Sequence, residues 1–230
     1  MTNQPMGRHQ RAEFDRDLQN LQDELLALGS MVEKATFLAV EALRTRDLAL
    51  SQQVIRDDDV IDRKRAELEE RAVDLIAIQQ PVASDLRMLI AALHVSMELE
   101  RIGDYAEGIG KISLMMGDQP PIKPLVDIPR MAEKATAMLR ASLDALVKHD
   151  VEKAYKVLAD DDEVDALYDQ VYRELLLLMV QDPKVIERGT YLLWTAHDLE
   201  RIADRATNIA EQVVYLVTGK QVDPSHVSRY

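Results

Sequence analysis

The stretch LERIGDYAEGI at residues 99–109 returns as LERIADRATNI at 199–209, so one chain carries the same Glu-Arg-Ile-x-Asp core twice, 100 residues apart. A second copy of this length constrains the fold more than composition does, because whatever the segment builds, the chain must build twice. Other segments repeat in the same order. MVEKAT at 31–36 comes back as MAEKAT at 131–136, and VIRDDDVID at 54–62 aligns with VLADDDEVD at 157–165. The offset runs 100, 103, 100, so three residues are gained before the middle segment and lost after it. Duplication followed by loop changes leaves such drift, whereas a solenoid array keeps a fixed period.

Each half reads as helix. Leu18, Leu21, Leu25, Leu28, Val32, Ala35, Ala39 and Ala42 alternate spacings of three and four, the seam of a helix packed lengthwise on its neighbours. The first helix is expected at about 12–46. Asp47 can cap a second, which carries Val54, Ile61, Leu68 and Leu75 at intervals of seven and stops near Gln79. Pro81 breaks the pattern, and a third helix runs from about Ala83 to Met116 with Gly117 as its C-terminal cap. GDQPPIKPLVDIP holds four prolines in thirteen residues and is the clear linker. Beyond it the pattern restarts, with helices expected at about 128–148, from an Asp150 cap to Val180, and from an Asp182-Pro183 opening to Thr218-Gly219. The expected fold class is all-α: two tandem, pseudo-symmetric three-helix bundles, at 1–116 and 128–219, joined by a 117–127 linker and followed by a 220–230 tail. Helices of 30 residues are about 45 Å long, so an elongated molecule is expected.

Composition narrows the function. A formal charge of −13 repels phosphate backbones and anionic lipid, so nucleic acid is not an expected partner; cations and basic protein surfaces are. With no cysteine, disulfides and thiolate metal sites are excluded. The longest apolar run, LLLLMV at 175–180, is far short of the roughly 20 residues of a membrane span, and the N-terminus has no apolar core of a signal peptide, so a cytoplasmic protein without membrane insertion is expected. The five histidines (9, 94, 149, 197, 226) form no Glu-x-x-His pair, and His94 and His197 read as packing or surface residues. Trp194, at the position of His94, and the ten methionines read as packing. No Gly-rich phosphate loop, Gly-x-Ser-x-Gly motif or nucleophile with its base is present, so catalysis is not expected.

The acidic pairs are the candidate site. Glu100 with Asp104 and Glu200 with Asp204 stand one helical turn apart. At about 100° per residue they lie roughly opposite the apolar stripe of Val95, Leu99, Ile102, Ala106 and Ile109 and its counterpart. Asp58 with Asp62, and Asp161 with Asp165, form matching pairs at the margin of the apolar face of the middle helix of each half. Carboxylates one turn apart repel unless neutralised, and oxygen-rich clusters suit hard cations. If the second and third helices of each half are neighbours, Asp58, Asp62, Glu100 and Asp104 can converge on one metal site, and Asp161, Asp165, Glu200 and Asp204 on another. The alternative is a solvated acidic face with Arg101 and Arg201 as local counter-charges.

Two LERI[GA]D segments closing two three-helix halves, with QPVASDLR at 80–87 and MVEKAT in the first helix, resemble the PhoU family of phosphate-transport regulators over about residues 10–220. The resemblance implies a homodimer-prone cytoplasmic protein that negatively regulates phosphate uptake and the phosphate-starvation response by linking the phosphate ABC transporter, through its ATPase subunit, to the phosphate-sensing histidine kinase. It also implies metal ions or clusters (iron, manganese, magnesium or zinc) on the Glu/Asp-x-x-x-Asp motifs, which here are Glu100/Asp104, Glu200/Asp204, Asp58/Asp62 and Asp161/Asp165. Two departures bear on the second site: Ala203 stands where Gly103 does in the first half, and Arg205, opposite Tyr105, puts a positive charge near one site only. The first half is therefore expected to hold metal at least as tightly as the second. A metalloenzyme using carboxylate clusters, or a metal-storage protein, are the other readings.

Overall fold

A computed structural model describes residues 8–222, with side chains from residue 11; residues 1–7 and 223–230, which hold His226 and most of the expected tail, lie outside it. Six long helices follow one another: α1 (Arg8–Thr45), α2 (Leu48–Gln79), α3 (Ser84–Met116), α4 (Asp127–Lys148), α5 (Val151–Gln181) and α6 (Ile186–Thr218). There is no strand among the described residues. The caps follow local chemistry. The Asp47 carboxylate accepts from the Leu50 amide at 3.0 Å and Asp150 accepts from Lys153 at 2.9 Å, each satisfying an amide left orphaned at a helix start. Gly117 and Gly219 close α3 and α6 at φ 64° and 70°, where a side chain would be strained.

Helix α6 opens differently from expectation. Asp182 accepts from the amide of Lys184, only two residues on, at 3.0 Å. That tight closure makes Pro183–Val185 a 3-10 turn before the α-helix begins at Ile186.

Helices α1, α2 and α3 pack on one another, as do α4, α5 and α6, and the halves join through α3 on α6 and α1 on α4. One continuous apolar core results, running from Leu21, Leu28, Leu99 and Ile109 in the first half to Leu139, Leu175 and Ile209 in the second. On the α3–α6 face, Glu98 meets Asn208 while Gly108 meets Asp198. Residues ten apart are thus exchanged between the helices, which run antiparallel about a pseudo-twofold axis near positions 103 and 203.

The halves are unequal at one end. By the 100-residue offset, α4 begins at the equivalent of residue 27, so residues 8–26 of α1 have no helical counterpart. They cover the far end of the first bundle, burying Phe14 completely and pairing Arg11 with Asp85 and Glu24 with Arg71. In the second half the 117–126 linker takes that place. Lys123 bonds Asp127 at 2.8 Å and also Glu174, Arg188 donates to the Pro120 carbonyl at 2.9 Å, and Ile122 and Leu125 pack on the core. No helix among the described residues is long and apolar enough to cross a membrane.

Candidate metal centre

The first acidic site is built where α2 crosses α3. Along α2 the buried residues run Ser51, Val54, Asp58, Ile61, a rhythm of three and four. Asp58 therefore sits in the apolar seam itself, not at its margin, and is 9 % exposed. Its room comes from α3: a Cβ on Gly103 would stand 2.9 Å from Asp58 Oδ1 and 3.1 Å from Ile61. Asp58 Oδ1 is buried without a hydrogen-bond partner, a costly state for a carboxylate oxygen. Asp58, Asp62 and Asp104 each bring a carboxylate oxygen within 4.8 Å of the others. Glu100 stands outside that trio, on the flank of α3 that faces α2 and not opposite the apolar stripe, since Asp62 and Arg65 of α2 are among the charges acting on it.

Electrostatics follow the crowding. Burial, then the charge of Asp62, pushes the Asp58 carboxyl up to about 7, with Glu107, Asp104 and Glu100 adding to it. Burial and neighbouring carboxylates also raise Asp104 and Glu100. Glu107 belongs to the site's surroundings and was not among the sequence candidates. It lies three residues after Asp104 and seven after Glu100 on one helix face, a spacing that could have revealed it, and it pairs outward with Lys111. Arg65, the nearest cation on α2, is bound by Glu69. Arg101 is turned away, donating to Glu98 at 2.9 Å.

The second site has the same buried acid and a different lining. Asp161 is 8 % exposed, its Oδ1 is also buried without a hydrogen-bond partner, and burial with the charge of Asp165 raises it to about 7. No trio like that of the first half forms there among the described residues. Instead Arg201 enters the site, with Nε 2.9 Å from Glu200 and a terminal nitrogen 2.8 Å from Asp204. The Nε contact brings charges together without an aligned N–H, as neither atom has a hydrogen-bond partner by geometry. Glu200 is nevertheless pushed up to about 7, burial outweighing the arginine. Burial raises Asp165 as well. Tyr168, packed on Tyr172 and His197, borders the site, and His197, on the surface as expected, has its Nδ1 3.7 Å from Glu200. Arg205, expected to charge this site, reaches across to the other half, where it and Asn208 hold Glu98 at 3.2 and 3.0 Å. Its long side chain lies on the α3–α6 face, one position past the flank that bears Asp204.

A duplicated six-helix protein with paired carboxylate sites at equivalent helix crossings defines a class: a helical scaffold that presents acidic sites. The family model for the PhoU domain matches it twice, over residues 25–113 and 128–213. A phosphate-specific transport system accessory protein PhoU homolog of Clostridium acetobutylicum is 40 % identical over 211 residues, spanning 91 % of this chain and 96 % of the relative. A homolog of the same description from Aquifex aeolicus is 36 % identical over 92 % of this chain and 96 % of its own. The crystal structure of PhoU from Pseudomonas aeruginosa superposes with a TM-score of 0.86 at 36 % identity, over 90 % of this chain and all of that one (100 %). The phosphate transport system regulatory protein PhoU from Streptococcus pneumoniae gives 0.86 at 31 % identity, over 91 % and 99 %. The chain belongs to the PhoU family.

Proposed function

We propose that this chain is a regulatory adaptor of phosphate homeostasis that restrains phosphate uptake and the starvation response when phosphate is plentiful, docking on the transporter's ATPase subunit and on the phosphate-sensing histidine kinase. The observation that carries this is full-length similarity to phosphate-specific transport accessory proteins. The net charge of −13 supports partners with basic docking surfaces. Cytoplasmic residence, homodimerisation and the absence of an enzymatic activity belong to the same proposal.

The carboxylate sites are proposed to hold metal. The residues present fit a hard cation: an orphaned, buried Asp58 oxygen, the space left by Gly103 and an all-oxygen donor set. Asp58, Asp62 and Asp104 would hold it in the first half, with Glu100 at the rim, and Asp161, Asp165, Glu200 and Asp204 form the corresponding set. Iron, manganese, magnesium and zinc are candidates. A bound cation supplies charge neutralisation across the crossing of α2 and α3. These side chains otherwise repel one another, and Asp58 ties the outer surface to the core seam, so the charge state of the site bears directly on how the two helices pack.

The test of the regulatory function is a phosphatase reporter in a deletion strain grown in abundant phosphate. Constitutive expression in the deletion, silenced by the wild-type chain, is the expected result; a deletion that stays silent rejects the proposal. Complementation with Glu100, Asp104, Glu200 and Asp204 all changed to alanine shows whether the acidic sites contribute. Recovery of neither ATPase subunit nor kinase in a pulldown rejects the adaptor mechanism.

A further inference from the structure

The two acidic sites differ in one arginine, and the difference begins three residues upstream of it, on the face between α3 and α6. In the first half Glu98 is held by three donors, Arg101 at 2.9 Å, Asn208 at 3.0 Å and Arg205 at 3.2 Å. Arg101 is thereby hydrogen-bonded three residues upstream of itself and acts on Glu100 and Asp104 only as a neighbouring charge. The equivalent of Glu98 in the second half is Asp198, one carbon shorter. It packs directly over Gly108, whose hypothetical Cβ would lie 3.2 Å from Asp198 Oδ2. No hydrogen bond or ion pair to Asp198 is present among the described residues. Arg201, the counterpart of Arg101, has lost its upstream partner and turns instead to Glu200 and Asp204.

We propose that Arg201 is a resident counter-ion of the second acidic site, occupying the position of a metal's positive charge, so that the two sites take up cations in sequence, the first before the second. This rests on the proposal that the carboxylate clusters hold metal. It does not rest on acidity alone: each site contains a carboxylate more than nine-tenths buried, Asp58 at 9 % and Asp161 at 8 % exposure, with an oxygen that no protein group satisfies. In the first half that oxygen belongs to a residue of the clustered trio. In the second, two of the four carboxylates are already engaged by a guanidinium, which an incoming cation must displace. The Arg201 side chain is 38 % exposed, so it can leave; the barrier is a shift in affinity and not a block. Two screened ion contacts predict roughly a tenfold weaker site. Ala203, where the first half has Gly103, narrows the same site and acts in the same direction.

The experiment is a manganese titration of the full chain, by calorimetry and by the electron paramagnetic resonance of free ion, which counts bound metal without any activity assay. Wild type is expected to show two classes of site separated by about tenfold or more. Asp62→Asn with Asp104→Asn removes the tighter class and leaves the weaker one to be measured alone. In that background Arg201→Gln is expected to tighten the remaining class by on the order of tenfold, Arg201→Lys by less, and Asp198→Glu, which returns an upstream partner to Arg201, to tighten it with the arginine still present. Arg201→Gln leaving the class unchanged or weaker overturns the proposal; should that variant not fold, the Asp198→Glu result decides alone, by the same criterion. Two equal tight sites in wild type overturn the ordering while the metal reading stands. No manganese bound to wild type at all overturns both.

Discussion

The two halves of this molecule share a motif, a helix crossing and a buried aspartate, yet they dispose of the same arginine in opposite ways. Arg101 serves the interface between the bundles through Glu98, and Arg201 serves the acidic site. A duplicated sequence therefore guarantees duplicated backbone but not duplicated electrostatics. Side-chain pairing is settled by third parties, here Asn208 and Arg205 on one side of the pseudo-twofold axis against Gly108 and Tyr105 on the other. Because the interface contact is satisfied on one side only, one half gains an open acidic site and the other an unpaired, half-buried acid, Asp198.

The largest effect expected from this comparison lies in pH. Asp58, Asp161, Asp198 and Glu200 all titrate near 7 in the fold, against about 4 in an unfolded chain. Between those values the folded chain keeps protons that the unfolded chain has lost, so metal-free stability falls as pH rises from about 4 to about 7 and levels off above. For Asp58 alone this is worth on the order of 2–4 kcal/mol. Denaturant melts of the metal-free protein should show it, and Asp58→Asn should flatten part of the slope; stability that climbs through this window breaks the account. Added metal should flatten the share of Asp58 and Asp161 and leave that of Asp198.

Next in size is the interface. Glu98→Ala leaves Arg205, whose Nε is buried without a partner, unneutralised on the α3–α6 face, and should cost about 1–3 kcal/mol in urea melts. Asp198→Asn, at the mirror position, should be neutral or stabilising above pH 7, because it removes a partly desolvated charge that no ion pair holds. Equal losses from the two variants would mean that the two sides of the axis are equivalent after all. The smallest stability effect is expected from Gly103→Ala. Its added methyl presses on Asp58 Oδ1 and Ile61 while gaining about 1 kcal/mol of helix propensity, so the fold should change little. Metal affinity of the first site should nevertheless drop several-fold in calorimetry, with the second site unaffected.

The repeat, the 3-4 rhythm, the capping aspartates and the proline cluster carry the fold openly in the sequence, since each acts over a few residues of chain. The acidic pairs were equally legible as types and spacings. Asp58 reads as marginal in the sequence because an aspartate is not counted among apolar positions, although Ser51, Val54, Asp58 and Ile61 keep the seam rhythm unbroken. The routes of Arg205 and Arg201 were not legible, because a long side chain chooses among partners on other helices whose register only the packed fold sets. Glu107 is hidden for a simpler reason: its pairing with Lys111 reads as an ordinary surface contact.

The exchange of helix for linker at one end of the molecule reaches further. Nineteen residues of α1, 8–26, sheathe the first bundle there, while the second is wrapped by ten residues of proline-stiffened chain, 117–126. Toward the end of α5, Leu177 and Val180 are 63 % and 73 % exposed, where the aligned positions of the first half are Asp74 and Ala77. Fewer backbone bonds lower the cost of local opening. Under native conditions amide protons around the α5–α6 turn should exchange with solvent well before those of α2 and α3, giving the molecule a slow end and a fast end.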